Sequence, residues 1–544
     1  MADVNYKLVV FLLCSFVLGA CHDDDVPTNI EPELVTGTAK DISHTEATLT
    51  GTVVLKGNTV MPDVWFEYGE GDELNMTVKD LNVRGGNVEA HVSGLAAGTE
   101  YSYRLMGSNG SATLCGDIMT FVTQSNDKPS VGSLSLLSRG PVSVIVSYEI
   151  LSDGGEPIIE TGCSVKDVSS GESWKTIAEP ERPDETEFVV RIGRFEQNAT
   201  YELRPYAVNK VGETVGEAMT LTMGGNAVTL ASPGELDLLM GDYKYSFTSL
   251  SIIGQMNGDD LRCLREMMGR NIDGAPTSGR LADVDLTDSR IVEGGGSYGS
   301  SRYTENDVVG YGLFADCTGL TNVVLPDGAK TIEKDAFMNC SSLKTITVPA
   351  SVRQLTPSGG CVALEEIVVS QANSNYVSID GVLFNSDASR IVWFPMGKRG
   401  HYELPASVTS LGDYAFRDCS ITSCTLLDGL TELGQCVFYG SKVKQVTLPD
   451  NLRLIPTGTF QNCLDLHTIH LGEMTELVSD YVFDKCPLTD IYVDAYYPPI
   501  CNDDAFSGTA DDFFSTCVLH VPASRVGMYK ADNDWGRFDN IVGE

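Results

Sequence analysis

The sequence predicts a multidomain, mainly β protein in which two β-sandwiches are followed by a solenoid with one short parallel strand per coil. Three observations predict it. A phenylalanine recurs through the C-terminal part at Phe314, Phe337, Phe416, Phe438, Phe460, Phe483 and Phe506, most neighbours standing 22 or 23 residues apart. Residues 34–224 read as short alternating apolar runs separated by Gly, Asn and Asp, the cadence of antiparallel sandwiches. The first twenty residues are of another kind, a short apolar run that leads to Cys21.

Length and charge bound the function. A chain of 544 residues exceeds one ordinary core and divides into three or four units. With 42% apolar and 21% charged residues, 54 Gly and 22 Pro, the composition is that of a folded, turn-rich chain. Only 37 Lys and Arg stand against 75 acidic residues, and a net charge of −38 repels phosphate backbones, which excludes DNA and RNA as partners. It also disfavours adsorption to anionic lipid, so attachment to a membrane has to be covalent or very local.

The N-terminus offers a covalent route. Lys7 precedes the apolar run Leu8 to Ala20, which is too short to span a hydrocarbon layer of about 30 Å but suits the core of a signal peptide. Its end, Leu18, Gly19, Ala20 and Cys21, resembles the bacterial lipobox. That resemblance implies removal of residues 1–20 and diacylglycerol on the thiol of Cys21; Asp3 departs from the pattern by weakening the positive start. Residues 21–33 form an acidic tether, with His22, Asp23, Asp24 and Asp25 followed by a Pro-containing stretch. An acidic run directly after such a cysteine resembles the export signal of Bacteroidetes-type surface lipoproteins, which implies an outer-membrane, surface-exposed location. Metal binding by His22 and its Asp neighbours is disfavoured, because adjacent carboxylates on a flexible tether lack preorganised geometry.

Residues 34–125 and 128–224 repeat one plan. In the first, Ala47 to Val54 and Val64 to Tyr68 alternate as strands, and Leu95, Gly98, Thr99, Tyr101, Tyr103 and Arg104 form a loop entering a strand. In the second, Phe195, Asn198, Thr200, Tyr201, Leu203, Arg204, Ala207 and Asn209 follow the same order, after a turn at Gly154, Gly155, Glu156 and Pro157. Both resemble fibronectin type III domains, within the wider immunoglobulin-like class. The resemblance implies that Tyr101 is a tyrosine-corner residue, its ring filling the corner between sheets and its hydroxyl bonding back to the main chain. Trp65 and Trp174 are open to two readings, packing or a sugar-stacking platform, of which packing is the commoner.

Beyond residue 310 the repeat governs. A cysteine stands three residues after several of the phenylalanines, at Cys317, Cys340, Cys419, Cys463 and Cys486. The pattern continues as Leu320, Val323, Leu325; Leu343, Ile346, Val348; and Leu466, Ile469, Leu471. This is the L-x-x-L-x-L strand of leucine-rich repeats, and the period lies within their range of about 20–29 residues. Cys361 with Leu364, Ile367 and Val369 is a copy lacking its Phe, while the copies at Val443 and Leu488 are shorter by one residue. Pro326, Pro349, Pro405 and Pro449 follow strands, and Ala336–Phe337 and Ala415–Phe416 pairs follow about ten residues later. This order resembles the BspA-like leucine-rich repeats of bacterial surface proteins, as does an interruption from Tyr376 to Tyr402 in which Asp380, Gly381, Val382, Leu383 and Phe384 look like a hairpin insertion.

One coil cannot bury its apolar residues alone, so stacked coils share a core and need covers at both ends. Residues 225–310 are expected to form the N-terminal cap, with a helix at Leu261, Leu264, Arg265, Glu266 and Met267 and a strand at Leu281, Val284 and Leu286. Residues 311–544 comprise the repeats and a closing cover containing Pro498, Pro499, Ala505, Phe506, Leu519, Val521, Pro522, Tyr529 and Trp535.

Of the 15 cysteines, Cys14 lies in the signal segment and Cys21 is the lipid acceptor, and the thirteen others lie largely in register with the repeats. A shared register predicts buried free thiols packed as small hydrophobes. A disulfide remains the alternative for an exported protein, with Cys501 and Cys517 the pair to test. No C-x-x-C pair, H-E-x-x-H or Walker loop occurs. One G-x-S-x-G run, Gly295 to Gly299, lies in a Gly/Ser-rich loop without the strand and helix that a nucleophile elbow requires. Asp283, Asp285 and Asp288 could be ligands for calcium, but the interleaved Val284 and Leu286 make them the solvent side of a half-buried strand. The expectation is therefore a non-enzymatic protein with no catalytic residue, cofactor or metal. The BspA-like resemblance implies adhesion, through the solenoid, to a host or extracellular protein, the sandwiches acting as spacers. The alternatives are glycan capture in a polysaccharide uptake system and a purely structural surface protein.

Overall fold

A computed structural model describes residues 31–170, 174–177 and 187–544. The signal segment, Cys21 and the acidic run at 23–25 lie outside the described residues. The chain is mainly β, with leucine-rich-repeat-like coils. No helix among the described residues is long and apolar enough to cross a membrane.

The described residues divide into two compact units, of which the first comprises 31–128 with 152–157 and 209–212. In it, strands Glu33–Thr36, Glu46–Val54, Asn87–Ser93 and Asn82–Arg84 form one antiparallel sheet. A second sheet centres on Asp63–Glu70 and Glu100–Ser108. Alternation sends Ala47 and Leu49 from the first sheet, and Phe66, Tyr103 and Leu105 from the second, into one core. The Tyr101 hydroxyl accepts the Ala96 N–H at 2.9 Å, five residues upstream.

The second unit holds the rest of the described residues. Its first part has the same plan: Val144–Ser152 pairs with Ser135–Arg139 and Glu187–Ile192, and Glu160–Asp167 pairs with Thr200–Val208. Val146, Cys163, Phe188, Tyr201 and Leu203 share its core. Tyr201 repeats the bond of Tyr101, accepting the Glu196 N–H at 3.1 Å.

This sheet does not stop where the repeats begin. Strand Ala227–Thr229 meets Ser135–Arg139 antiparallel at Thr229 and Arg139, and it runs parallel to Ser249–Met256 on its other side. From there parallel pairing continues through Asp283–Asp285, Asn322–Val324, Thr345–Val348 and Glu366–Val369. The aperiodic region before the first phenylalanine therefore supplies the first courses of the sheet itself. Its helix, Gly258–Met267, starts at an Asn257 and Asp260 capping box and buries Leu261, Leu264 and Met267. The fully buried Asp260 carboxylate also accepts the N–H groups of Gly234 and Leu236, at 2.6 and 2.9 Å, tying down the preceding turn.

After Glu366–Val369 the sheet breaks. Strands Tyr376–Ile379 and Val382–Asn385 form the inserted hairpin, and Gly381 at its turn accepts the Ile367 N–H. Parallel pairing resumes at Arg399–Glu403 and proceeds through Ser420–Thr425, Gln445–Thr447, Thr468–Leu471, Asp490–Val493 and Val518–Val521 to Asn540–Gly543.

The repeated phenylalanines stack. Phe314 lies 5.2 Å from Phe337, and a second run passes through Phe394, Phe416, Phe438, Phe460, Phe483 and Phe506 with centroids 4.6 to 6.0 Å apart. Each coil also hands a backbone hydrogen bond to the next: the Phe416, Phe438 and Phe460 N–H groups donate to Val437, Thr459 and Val482. Phe394 was not among the expected marks, because it stands 57 residues after Phe337 and has Gly397 where the cysteine should be. In the copy that lacks its ring, the buried Ser358 hydroxyl accepts the Phe337 N–H.

The thirteen cysteines are free, and all but Cys115 and Cys436 are buried. Those in register do more than fill space. The thiols of Cys340, Cys361, Cys463 and Cys486 donate to the carbonyls of Phe314, Phe337, Phe438 and Phe460 in the preceding coil, at 2.9 to 3.2 Å. Each of these carbonyls also accepts a backbone N–H within its own turn, from Cys317, Cys340, Ser441 and Cys463, so the thiol fills the second acceptor position in the volume of a small apolar side chain. Burial pushes the Cys361 and Cys463 thiols up to about 12, so the ladder is held in its protonated, donating form.

Candidate binding surface

A coil has inward positions that must be apolar and outward positions that need not be. On the side opposite the main sheet, strands Leu454–Ile455, Leu477–Val478 and Ile500–Cys501 pair in parallel register. Ile455, Val478 and Cys501 point into the core, which leaves Leu454, Leu477 and Ile500 outside as a stripe. Leu454 is 45% and Ile500 69% exposed. The corresponding outward positions of the preceding coils are Arg390, Ser410 and Glu432, so the stripe is a change of character confined to the last coils.

Beside Ile500 the stripe opens into a groove of about 660 Å³, lined by Glu473 to Glu476 on one wall and Ala495 to Ile500 on the other. Met474, Tyr496 and Tyr497 present exposed apolar surface there, Tyr497 being 68% exposed. The second wall is pinned from behind by the terminal cover. The fully buried Tyr529 hydroxyl donates to the Ala495 carbonyl at 2.8 Å, and the Trp535 indole N–H donates to the Pro499 carbonyl at 2.7 Å. Pro498 and Pro499 further restrict that segment. The groove is thus preformed, which lowers the ordering cost of filling it. Arg525 lies over the Tyr496 ring, and Arg453 forms an ion pair with Glu476.

The main sheet of the same coils carries an aromatic row. His470, Tyr492 and His520 occupy one register position, with ring centroids 4.1 and 4.0 Å apart and planes within 10°. His520 is fixed by Glu544 at 2.7 Å and Asp490 at 3.1 Å. The Thr489 hydroxyl and then His520 hold the Asp490 carboxyl below its ordinary range. Burial lowers the His470 imidazole, which favours the neutral ring in the stack. Rings stacked along a strand ladder cover one another's faces and offer edges outward. They are therefore a poor platform for a sugar, which requires an open face.

The other residues singled out from the sequence take structural places. Arg204 lies 4.0 Å above the Trp174 ring, with Lys166 at 5.9 Å, and Lys79 lies 5.9 Å from Trp65. Asp283 and Asp285 are exposed on either side of buried Val284. Ser297 sits in a loop, its hydroxyl accepting the Gly299 N–H, and no helix follows. Among the described residues no group of three or more His, Cys, Asp or Glu side chains is arranged to hold a metal ion. Sequence reasoning placed Pro498 and Pro499 only in a closing coil. The signal for the groove was the uninterrupted run Tyr496, Tyr497, Pro498, Pro499, Ile500, separated from the end of a strand by Asp494 and Ala495.

Residues 305–392 and 398–510 match the family described as BspA type leucine rich repeat region, in six copies. No curated protein matches the chain in sequence. Among solved structures, the chain is similar to a leucine-rich repeat protein from Eubacterium ventriosum, with 16% identity and a TM-score of 0.32 over 56% of this chain and 92% of that one. It is similar to a leucine rich cell surface protein from Faecalibacterium prausnitzii, with 17% identity and a TM-score of 0.33 over 63% and 93% of the two chains. The pneumococcal vaccine antigen PcpA shares 16% identity, with a TM-score of 0.32 over 55% of this chain and 79% of that one.

Proposed function

We propose that this chain, which carries a BspA-type leucine-rich repeat domain over residues 305–392 and 398–510, is a lipid-anchored surface protein that binds an extracellular protein through its last coils. The observation that carries the reading is the change of outward residues from Arg390, Ser410 and Glu432 to Leu454, Leu477 and Ile500, continuous with the apolar groove. A contiguous apolar surface on an otherwise acidic protein is a liability in water unless a partner covers it. The two antiparallel units before the repeats act as fibronectin type III-like spacers. Cys21 is the lipid acceptor at the outer membrane, and the acidic tether places the protein on its outer side.

Glycan capture is supported less well. The faces of Trp174, Tyr492 and Tyr496 are each covered by a neighbouring cation or ring, which leaves the exposed Tyr497 as the aromatic surface of the groove, beside Met474, Pro498 and Ile500.

The test is binding of the purified mature full chain to paired arrays of extracellular matrix proteins and of host and plant glycans. Protein hits weakened at least about ten-fold by Tyr497→Ala together with Ile500→Ser are expected, the size of loss that one anchor of about 1.4 kcal/mol produces. Glycan-only hits, or protein hits indifferent to both substitutions, would overturn it. Cys21→Ala is expected to release the protein from membranes while leaving its unfolding transition unchanged. Continued lipid labelling of that variant would refute the anchor.

A further inference from the structure

The groove's chemistry is specific enough to name the kind of segment that fits it, on the premise that the last coils are the binding surface. Its floor and one wall are apolar: Met474, Tyr496, Tyr497, Pro498, Pro499 and Ile500. Pro498 and Pro499 carry no N–H and the Ile500 N–H is taken by the Glu476 carbonyl, so that end of the wall offers an occupant apolar contact and no main-chain donor.

The rim is acidic. Glu473 and Glu476 line the opposite wall. Asp450 lies directly beneath them, its carboxylate accepting the Glu473 N–H at 3.3 Å and its carbonyl accepting the Met474 N–H at 3.0 Å. Asp494 immediately precedes the apolar wall, and its N–H donates to Leu471. Against these four carboxylates stand two guanidinium groups. Arg453 is committed to Glu476, and Arg525 lies on the face of Tyr496. Glu473, Asp450 and Asp494 are all exposed, so their charge is available to a ligand.

A groove with an apolar floor and an acidic rim rejects acidic segments by like-charge repulsion and steers cationic ones. We infer that this groove binds an extended, cationic segment of a partner protein, in which an aliphatic, proline or aromatic anchor fills the space between Met474 and Tyr497 while a flanking Lys or Arg meets Glu473, Asp450 and Asp494. A basic partner also answers the net charge of −38, which accelerates its approach.

Two labelled dodecapeptides test this against the full chain by fluorescence anisotropy. One carries a Leu-Pro-Tyr anchor flanked on each side by two Lys; the other has Glu at those four positions. The Lys peptide is expected to bind at least about ten-fold more tightly at low salt, the preference narrowing as ionic strength rises. Glu473→Gln with Asp494→Asn should remove most of the preference, and Tyr497→Ala should remove binding of both peptides. Equal binding of the two, a preference unchanged in the Glu473→Gln, Asp494→Asn protein, or no binding of the Lys peptide at millimolar concentration would overturn the inference. Array proteins supply the distinction from the preceding reading. Hits lost in Tyr497→Ala but indifferent to Glu473→Gln and to salt would leave the groove as the binding surface and refute only its charge selectivity.

Discussion

Phe438→Ala is expected to destabilise the repeat region by about 3–5 kcal/mol, the range for emptying an aromatic site in a closed core. The ring is fully buried and stacks on Phe416 at 5.1 Å and on Phe460 at 5.4 Å. Each such pair adds about 0.5–1.5 kcal/mol beyond the area it buries. Coils of a solenoid touch only their neighbours, so the loss falls on two interfaces at once and nothing distant compensates. Urea unfolding of the full chain, followed by a signal from the repeat region, measures it. Leu464→Ala is the control, because Leu464 is 60% exposed and its loss should change stability by less than about 0.5 kcal/mol. A loss below about 1 kcal/mol for Phe438→Ala would mean that the stack follows the coil rather than holding it.

The same stack shows why the repeats were legible and the binding surface was not. A ring that must meet its copy in the next coil can move by one residue at most, so Phe416, Phe438, Phe460, Phe483 and Phe506 recur at 22 or 23 residues and betray the period. Where the hairpin insertion lengthens the chain the period fails, and Phe394 enters the stack from a position that spacing could not identify. The cysteines were legible as a register but not as donors, since a thiol's partner is a carbonyl one coil away that carries no side-chain signature. Outward positions obey no periodic rule. Leu454, Leu477 and Ile500 look like the inward residues beside them until the register of the strands separates the two sets. Tyr529 and Trp535 were readable as a cover, yet that they also brace the groove depends on two hydrogen bonds spanning more than thirty residues.

Residues 225–544 produced alone are expected to be insoluble or molten, whereas 129–544 should fold. The expectation rests on how the repeat sheet begins. Strand Ala227–Thr229 meets Ser135–Arg139 at one residue pair, Thr229 with Arg139, and deleting the preceding sheet removes that closure from the edge on which the repeat sheet starts, an open edge being the usual template for aggregation. Ser138 accepts the Ala231 N–H at 2.8 Å and donates to Glu235 at 2.5 Å, and the Ser143 hydroxyl donates to the Leu239 carbonyl. Ile145, on the strand beside them, belongs to the same core as Val228, Leu239 and Leu250. The approach is close enough that a Cβ at Gly140 would stand 2.6 Å from the Leu239 carbonyl oxygen. Deleting residues 129–224 therefore exposes a strand edge and side chains whose burial contributes about 1.5–3 kcal/mol each, more than a marginally stable array can lose. Gel filtration, limited proteolysis and thermal unfolding of the two fragments decide it. If 225–544 proves monomeric and melts with the repeat region of the full chain, the preceding sheet is an appendage and the repeats carry their own N-terminal cover. If it fails while 129–544 holds, the second antiparallel unit is part of the solenoid's fold, and any binding experiment on the repeats has to include it.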